Sequence, residues 1–240
     1  MLSPPTNPLA PTAVLRVGVV QAPTAGVFFI AVEDGIPRGV TVELGAALAR
    51  QLGLPVTYTV FPNSGECTEA TATAAIDVAF MPVDAHRQTR VAFGPAYYLL
   101  ESTYLVSAAS GIEALAEVDR PGIRVIGIAD TTTIRAATRT LAHTVPVAIR
   151  GVDEAIAMLR DGRADALALS RDSLNQVMPT IPGSRITPGG FQHTTISIAV
   201  PPGRPGALAT VTTFLEEAKR DGLVREAFDA VGLMDEAVAP

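Results

Sequence analysis

A single cysteine, Cys67, and no tryptophan stand in a chain of 240 residues. One cysteine excludes an intrachain disulfide and a metal site built from several cysteines. Charge is sparse too. Asp, Glu, Lys and Arg make up 18% of the chain, too little for a disordered polyelectrolyte. The formal net charge of -6 argues against a nucleic-acid partner, which wants a basic face, although a local basic cleft stays open. No apolar run reaches the ~18 residues that a membrane span needs. His86, His143 and His193 do not fall at a metal-ligand spacing. A structural or surface role is expected for each, and no metal or cofactor is implied. Ser-His-Asp, P-loop and Gly-x-Gly-x-x-Gly signatures do not occur.

What the chain does have is apolar mass. At 48% hydrophobic residues it can build one large or two small domains with real cores. The opening MLSPPTNPLAPTA lacks a basic n-region and an apolar h-region, so it does not read as a signal peptide. Residues 1–13 are expected to form a disordered leader. Strands and helices then alternate. VLRVGVV from Val14 is a β-branched apolar run, hence a buried strand. VTVELGAALARQLG from Val40 places Leu44, Ala47, Leu48 and Leu52 at helical spacing, with Gly53 as C-cap. PVTYTVF, a weak helix over SGECTEATATAA, and IDVAFM follow. The order recurs in RVIGI, TTTIRAATRTLAH, VPVAI, VDEAIAMLRDG and ADALAL. In both halves an Asp opens an apolar strand. This alternation predicts two α/β units with mostly parallel sheets. The extended segments LLESTYLVSAA and HTTISIAVPPG flank the second unit, so the chain is expected to cross into it once and return once. A long helix bracketed by Pro205 and Gly222 closes the pattern.

One stretch stands out, MPVDAHRQTRVAFGPAYY, where cations sit at the exit of a buried strand. Together with LRVGVV, GVTVELGAALARQLGLPV, IGIADTTTIRAA, AIAMLRDGRADALALSRDS and LEEAKRDGLVREAFDAVGL, it resembles the type-3 extracellular solute-binding proteins. These are the amino-acid-binding class that feeds ABC importers. The resemblance runs from about Val14 to Leu233 and rests on the order and spacing of these motifs. It implies a two-lobed, type II periplasmic binding protein-like α/β fold joined by two hinge strands. One lobe would comprise residues 14–100 and 198–240, the other residues 101–197. It further implies a periplasmic monomer that closes its lobes on a small carboxylate-bearing solute and delivers it to an ABC permease.

The site residues follow from the same resemblance. Arg87 takes the position of the family's arginine, whose guanidinium fork grips a carboxylate, at the C-terminal end of a strand, where open α/β sheets bind ligands. Arg90 reads as a solvated surface charge. Thr131, Thr132 and Thr133 occupy a turn that offers hydroxyls and N–H groups at a helix start; Thr132 and Thr133 are the expected ligand contacts, beside a plain capping role. Met81, Pro82, Phe61, Asn63, Ser64 and Gln21 are the expected wall residues from the first lobe. Phe28 and Phe29 are expected in the core rather than against a ligand.

Two positions depart from the family. Ser170 stands where amino-acid binders carry an Asp for the ligand's ammonium, with Arg171 and Asp172 following. Pro82 removes a backbone donor. A neutral hydroxyl balances a buried ammonium poorly, so a des-amino acid is expected to bind tighter than its α-amino counterpart. The alternative function is an enzyme of the same fold, a dehydratase or lyase acting on a small carboxylate. Its general acid or base would come from Glu66, Glu101, Asp172 or His193.

Overall fold

The computed structural model describes residues 7–21 and 26–240. In chain order the first elements are β1 (Leu15–Gln21), β2 (Phe29–Glu33), β3 (Ile36–Arg38), α1 (Val40–Leu52), β4 (Val56–Phe61), α2 (Ser64–Ala72), β5 (Val78–Pro82) and α3 (Ala85–Gln88). Then come β6 (Ala92–Val106), β7 (Val125–Ile128), α4 (Thr132–Thr140), β8 (Val147–Ile149), α5 (Val152–Arg160), β9 (Ala166–Ser170) and α6 (Arg171–Val177). The chain ends with β10 (Arg185–Ile186), β11 (Gln192–Val200), α7 (Pro205–Arg220) and α8 (Leu223–Asp229). Among the described residues no helix is long and apolar enough to cross a membrane.

The chain separates into two compact units. The divisions fall between Leu99 and Leu100 and between Thr194 and Thr195. β6 and β11, neighbours in the hydrogen-bonded strand order, each run from one unit into the other. The sheet is more mixed than the alternating pattern suggests. β1 pairs in parallel with β2, β4 and β5, and β7 with β8 and β9. The two crossing strands pair antiparallel, β11 with β5 and β6 with β9. A strand that carries the chain directly between units needs no crossover helix, so nothing forces it parallel.

In the first unit, α1 lays Val40, Leu44, Ala47 and Leu48 into the core. It ends where Gly53 takes the left-handed conformation at φ 66°. That lets Leu54 N–H bond back to the Ala49 carbonyl at 3.0 Å, a Schellman closure. α7 begins at Pro205 and buries Ala207, Val211, Phe214 and Leu215. Residues 7–13 differ from the expected disordered leader. Leu9 and Ala10 are buried, and the Asn7 side chain accepts from the Leu9 N–H at 2.9 Å. Apolar residues amid the prolines explain the difference: the segment has something to bury, and the rigid backbone lowers the entropy lost in doing so. The rest of that expected leader, residues 1–6, lies outside the described residues.

The recurrence seen in the sequence has a physical counterpart. Arg16, on β1, grips Asp77 just before β5 through Nε–Oδ2 at 2.9 Å and Nη2–Oδ1 at 2.6 Å, and its own N–H donates to Oδ2 at 3.0 Å. In the second unit Arg124, just before β7, grips Asp165, just before β9, in the same way at 2.9, 2.7 and 2.8 Å. Each clamp fixes the start of two neighbouring parallel strands. Each unit also has a strand glycine under a crossover helix. A Cβ on Gly18 would come within 2.3 Å of Ile76 Cδ1 and 2.8 Å of Cys67 Sγ, and one on Gly127 within 2.7 Å of Ile134 Cδ1. Gly18→Ala is therefore expected to cost about 1–3 kcal/mol through overpacking. Urea unfolding measures it, and an unchanged midpoint would show that the helix gives way freely.

Candidate functional site

In the first unit the expected site residues gather at the first turn of α2. Asn63 caps this helix, its Oδ1 accepting from the Glu66 N–H at 2.9 Å, while Glu66 Oε1 accepts from the Asn63 side-chain amide at 3.3 Å. Ser64 is the first helical residue and is buried. Arg87 lies on the one-turn helix α3, whose cap Asp84 accepts the Arg87 N–H at 2.8 Å. The Arg87 side chain is 1% exposed. Its Nη1 donates to the Pro82 carbonyl at 2.9 Å and its Nη2 to Ser64 Oγ at 2.7 Å. A guanidinium is thus held beside a helix N-terminus, two features that each favour an anion nearby. Pro82 serves here through its carbonyl, which its ring leaves intact.

The remaining first-unit candidates are less convergent. Met81 is fully buried, and its Sδ accepts from Thr68 Oγ1 at 3.3 Å, a core contact. Gln21 is exposed at the end of β1, and Phe61 is half-buried at the end of β4. Phe28 and Phe29 are both buried with ring centroids 4.1 Å apart, as core residues should be. Arg90 pairs with Glu69 at 2.6 Å on the surface. Burial pushes the Cys67 thiol up to about 12, against the opposing pull of the Arg87 charge. At neutral pH it is a protonated core group.

In the second unit the threonine turn divides its labour. Thr131 is the cap of α4. Its hydroxyl donates to the Ile128 carbonyl at 2.7 Å and accepts from the Ile134 N–H at 3.2 Å. Thr133 Oγ1 lies 3.4 Å from Ser102 Oγ. Thr132 is 1% exposed, and among the described residues its hydroxyl has no hydrogen-bond partner. Asp130, just before the turn, holds φ 57°, a left-handed conformation that costs energy for a residue with a Cβ. Ser170 ends β9, opposite Ser102 on β6, and its hydroxyl bonds Ser173 Oγ at 2.8 Å. Asp172 is buried in the first turn of α6.

The sequence reading missed Asp84, Ser102, Gln192 and Ser173. Ser102 Oγ donates to Gln192 Oε1 at 3.3 Å. The available signal was the polar run Glu101-Ser102-Thr103 inside an otherwise apolar strand. For the proposed acid–base groups the surroundings are restrictive. Glu101 is ion-paired with Arg171, and its Oε1 lies 3.4 Å from His193 Nε2. Glu66 belongs to the cap of α2. Arg171 also donates to the Gly189 carbonyl at 2.9 Å, so its charge serves the unit's own loops. Among the described residues no group of three or more His, Cys, Asp or Glu is placed to hold a metal ion.

The family model of bacterial extracellular solute-binding proteins, family 3, matches residues 15–230, and the chain belongs to that family. Comparison with curated proteins gave no significant match. Among solved structures, the solute receptor for L-cysteine of Neisseria gonorrhoeae superposes with a TM-score of 0.82 at 22% identity, covering 92% of this chain and 91% of that one. A binding component of an ABC transporter from Wolinella succinogenes, complexed with lysine, gives 0.80 at 19% identity, covering 91% and 95%. The ancestral amino acid-binding protein AncCDT-1, a precursor of cyclohexadienyl dehydratase, gives 0.80 at 22% identity, covering 92% and 95%. These likenesses establish the shared two-lobed fold.

Proposed function

We propose that this chain is the periplasmic substrate-binding component of an ABC importer and binds a small solute bearing a carboxylate. Arg87, with Ser64 and the first turn of α2, receives the carboxylate. Thr132, at the N-terminus of α4, adds a hydroxyl contact. Membership of a solute-binding family sets the class, and the buried Arg87 guanidinium at a helix N-terminus is the observation that carries the ligand chemistry. A thermal-shift screen of amino acids, aromatic carboxylates, dicarboxylates and phosphonates tests it. A solute that binds only the folded chain at 100 times its Kd adds about 2.7 kcal/mol. If only compounds without an acidic group raise Tm, the reading fails.

Thr132→Val is expected to weaken that solute roughly two- to tenfold, the range for one neutral hydrogen bond, while leaving the ligand-free chain as stable as before. Thr131→Val should do the reverse, costing about 1 kcal/mol of stability through the lost cap. Calorimetric titration beside thermal unfolding separates the two. Equal behaviour of both variants would remove Thr132 from the site.

The departure at Ser170 bears on the ammonium. With Ser170 bonded to Ser173, a des-amino acid is expected to bind tighter than the amino acid of the same side chain. Preference for the amino acid, lost in Asp172→Asn, would instead assign Asp172 as the ammonium partner. The enzyme reading has one observation in its favour, the likeness to a precursor of cyclohexadienyl dehydratase. Against it stand the engaged positions of Glu101 and Glu66.

A further inference from the structure

Strand alternation sorts the polar run of β6 onto two faces, since successive residues of a strand point to opposite sides. Glu101 and Thr103 take one face. There Glu101 pairs with Arg171 and lies 3.4 Å from His193 Nε2, and Thr103 Oγ1 bonds Thr187 Oγ1 at 2.9 Å. Ser102 takes the other face, where its Oγ lies 3.4 Å from Thr133 Oγ1 in the first turn of α4. The ionic groups around this run thus collect on the Glu101 side, and the side chains bonded to Ser102 are neutral.

Proton counting gives this neutral chain a direction. Ser102 is fully buried and has one proton, which goes to Gln192 Oε1 at 3.3 Å. Its oxygen is then left to accept from Thr133. The bonds hold the carbonyl end of the Gln192 amide against Ser102 and turn the NH2 end away from it. Gln192 is half-buried at the start of β11. Among the described residues its Nε2 makes no hydrogen bond, and it is not sealed from solvent. Two N–H donors are therefore held in a fixed direction, two hydrogen bonds from Thr133. They match an oxygen acceptor. That acceptor is a neutral one, because this hydrogen-bonded chain holds no cation to balance a second carboxylate.

We propose that Gln192 is a specificity-determining residue of the solute site, donating to a neutral carbonyl oxygen that the solute carries besides its carboxylate. Ser102 is the positioning residue that holds the amide. The proposal rests on the reading that the first turn of α4 faces the bound solute. Calorimetric titration of the full chain tests it with 4-oxopentanoate, its apolar isostere 4-methylpentanoate, the dicarboxylate succinate, and 2-pentanone, which keeps the ketone but lacks the acid. 4-Oxopentanoate is expected to bind roughly two- to tenfold tighter than 4-methylpentanoate, the range for one neutral hydrogen bond, and tighter than succinate. Gln192→Met keeps the length but not the amide and should erase that preference, whereas a merely structural Gln192 would weaken both acids alike and leave their ratio intact. Gln192→Glu still accepts from Ser102 and should erase the preference too, which decides the matter if the methionine variant does not fold. Ser102→Ala frees the amide to turn and should reduce the preference. The proposal is overturned if the two acids bind equally to the parent chain, if succinate binds tightest, if the preference survives loss of the amide, or if none of the probes binds. Equal binding of the two acids with no binding of 2-pentanone would sink Gln192 and leave the carboxylate reading standing. Binding of 2-pentanone as tight as that of 4-oxopentanoate, and lost in Gln192→Met, would do the reverse.

Discussion

Arg87→Lys is expected to weaken the bound solute by more than tenfold while the chain remains folded. Charge-assisted hydrogen bonds are worth about 1.5–3 kcal/mol each, and lysine keeps the charge but loses the fork that matches a carboxylate. Arg87→Ala should go further in both respects. The guanidinium donates to the Pro82 carbonyl and to Ser64 Oγ inside the first unit. Truncation therefore leaves two buried acceptors unpaired as well as removing the anchor. The two variants together distinguish the readings. A purely structural arginine would lower the Tm of the ligand-free chain in both variants yet leave the calorimetric affinity of the lysine variant near that of the parent. A ligand anchor loses affinity in the lysine variant first. Unchanged affinity in Arg87→Lys would defeat the assignment.

The elements of this fold were legible because each carries a local signal with a physical cause. The apolar spacing of α1 and its closing Gly53 fix both its face and its end. The β-branched run of β1 and the fully buried β5 read as strands on composition alone. Tertiary partnership was less legible. The alternation of strands and helices predicts parallel pairing. The antiparallel pairing of β6 with β9 and of β11 with β5 depends on where a strand goes after leaving its unit, which no local residue records. Leu9 and Ala10 were hidden by the prolines around them. At the candidate site, the expectation rests on residue types that act through side-chain chemistry, Arg87 and the threonine run. What the sequence left open was which hydroxyl of Thr131, Thr132 and Thr133 would serve the cap and which would be left over, because that depends on a few tenths of an ångström at the start of α4. Met81 stands next to other expected site residues in sequence, but at a strand position whose side chain belongs to the core.

The paired aspartates allow a comparison of a buried clamp with a more exposed one. Both clamps have the same three hydrogen bonds, but Asp77 is fully buried against an Arg16 that is 28% exposed, whereas Asp165 is 15% exposed against an Arg124 that is 54% exposed. Asp77→Asn is therefore expected to cost about 3–5 kcal/mol, the range for breaking a buried pair from one side. Asp165→Asn should cost about 1 kcal/mol or less, because Arg124 recovers its hydration when the pair is broken. Arg204 adds to the difference: its Nη1 lies 3.8 Å from Asp77 Oδ1, so a second cation loses its partner there. The pH dependence has a definite sign at the weaker clamp. Hydrogen bonding to Arg124 lowers the Asp165 carboxyl below its usual range. Its contribution is then present above the unfolded pKa of about 3.9 and is lost as the pH falls through the lower folded value. The gap between Asp165→Asn and the parent chain should accordingly be largest near neutrality and close in strong acid. Urea unfolding at pH 7, with Asp165→Asn repeated below pH 4, measures both statements. Equal costs for the two aspartates at pH 7 would show that burial does not set the strength of these clamps, and a gap that widened in acid would reverse the assignment of the Asp165 carboxylate as the stabilising form.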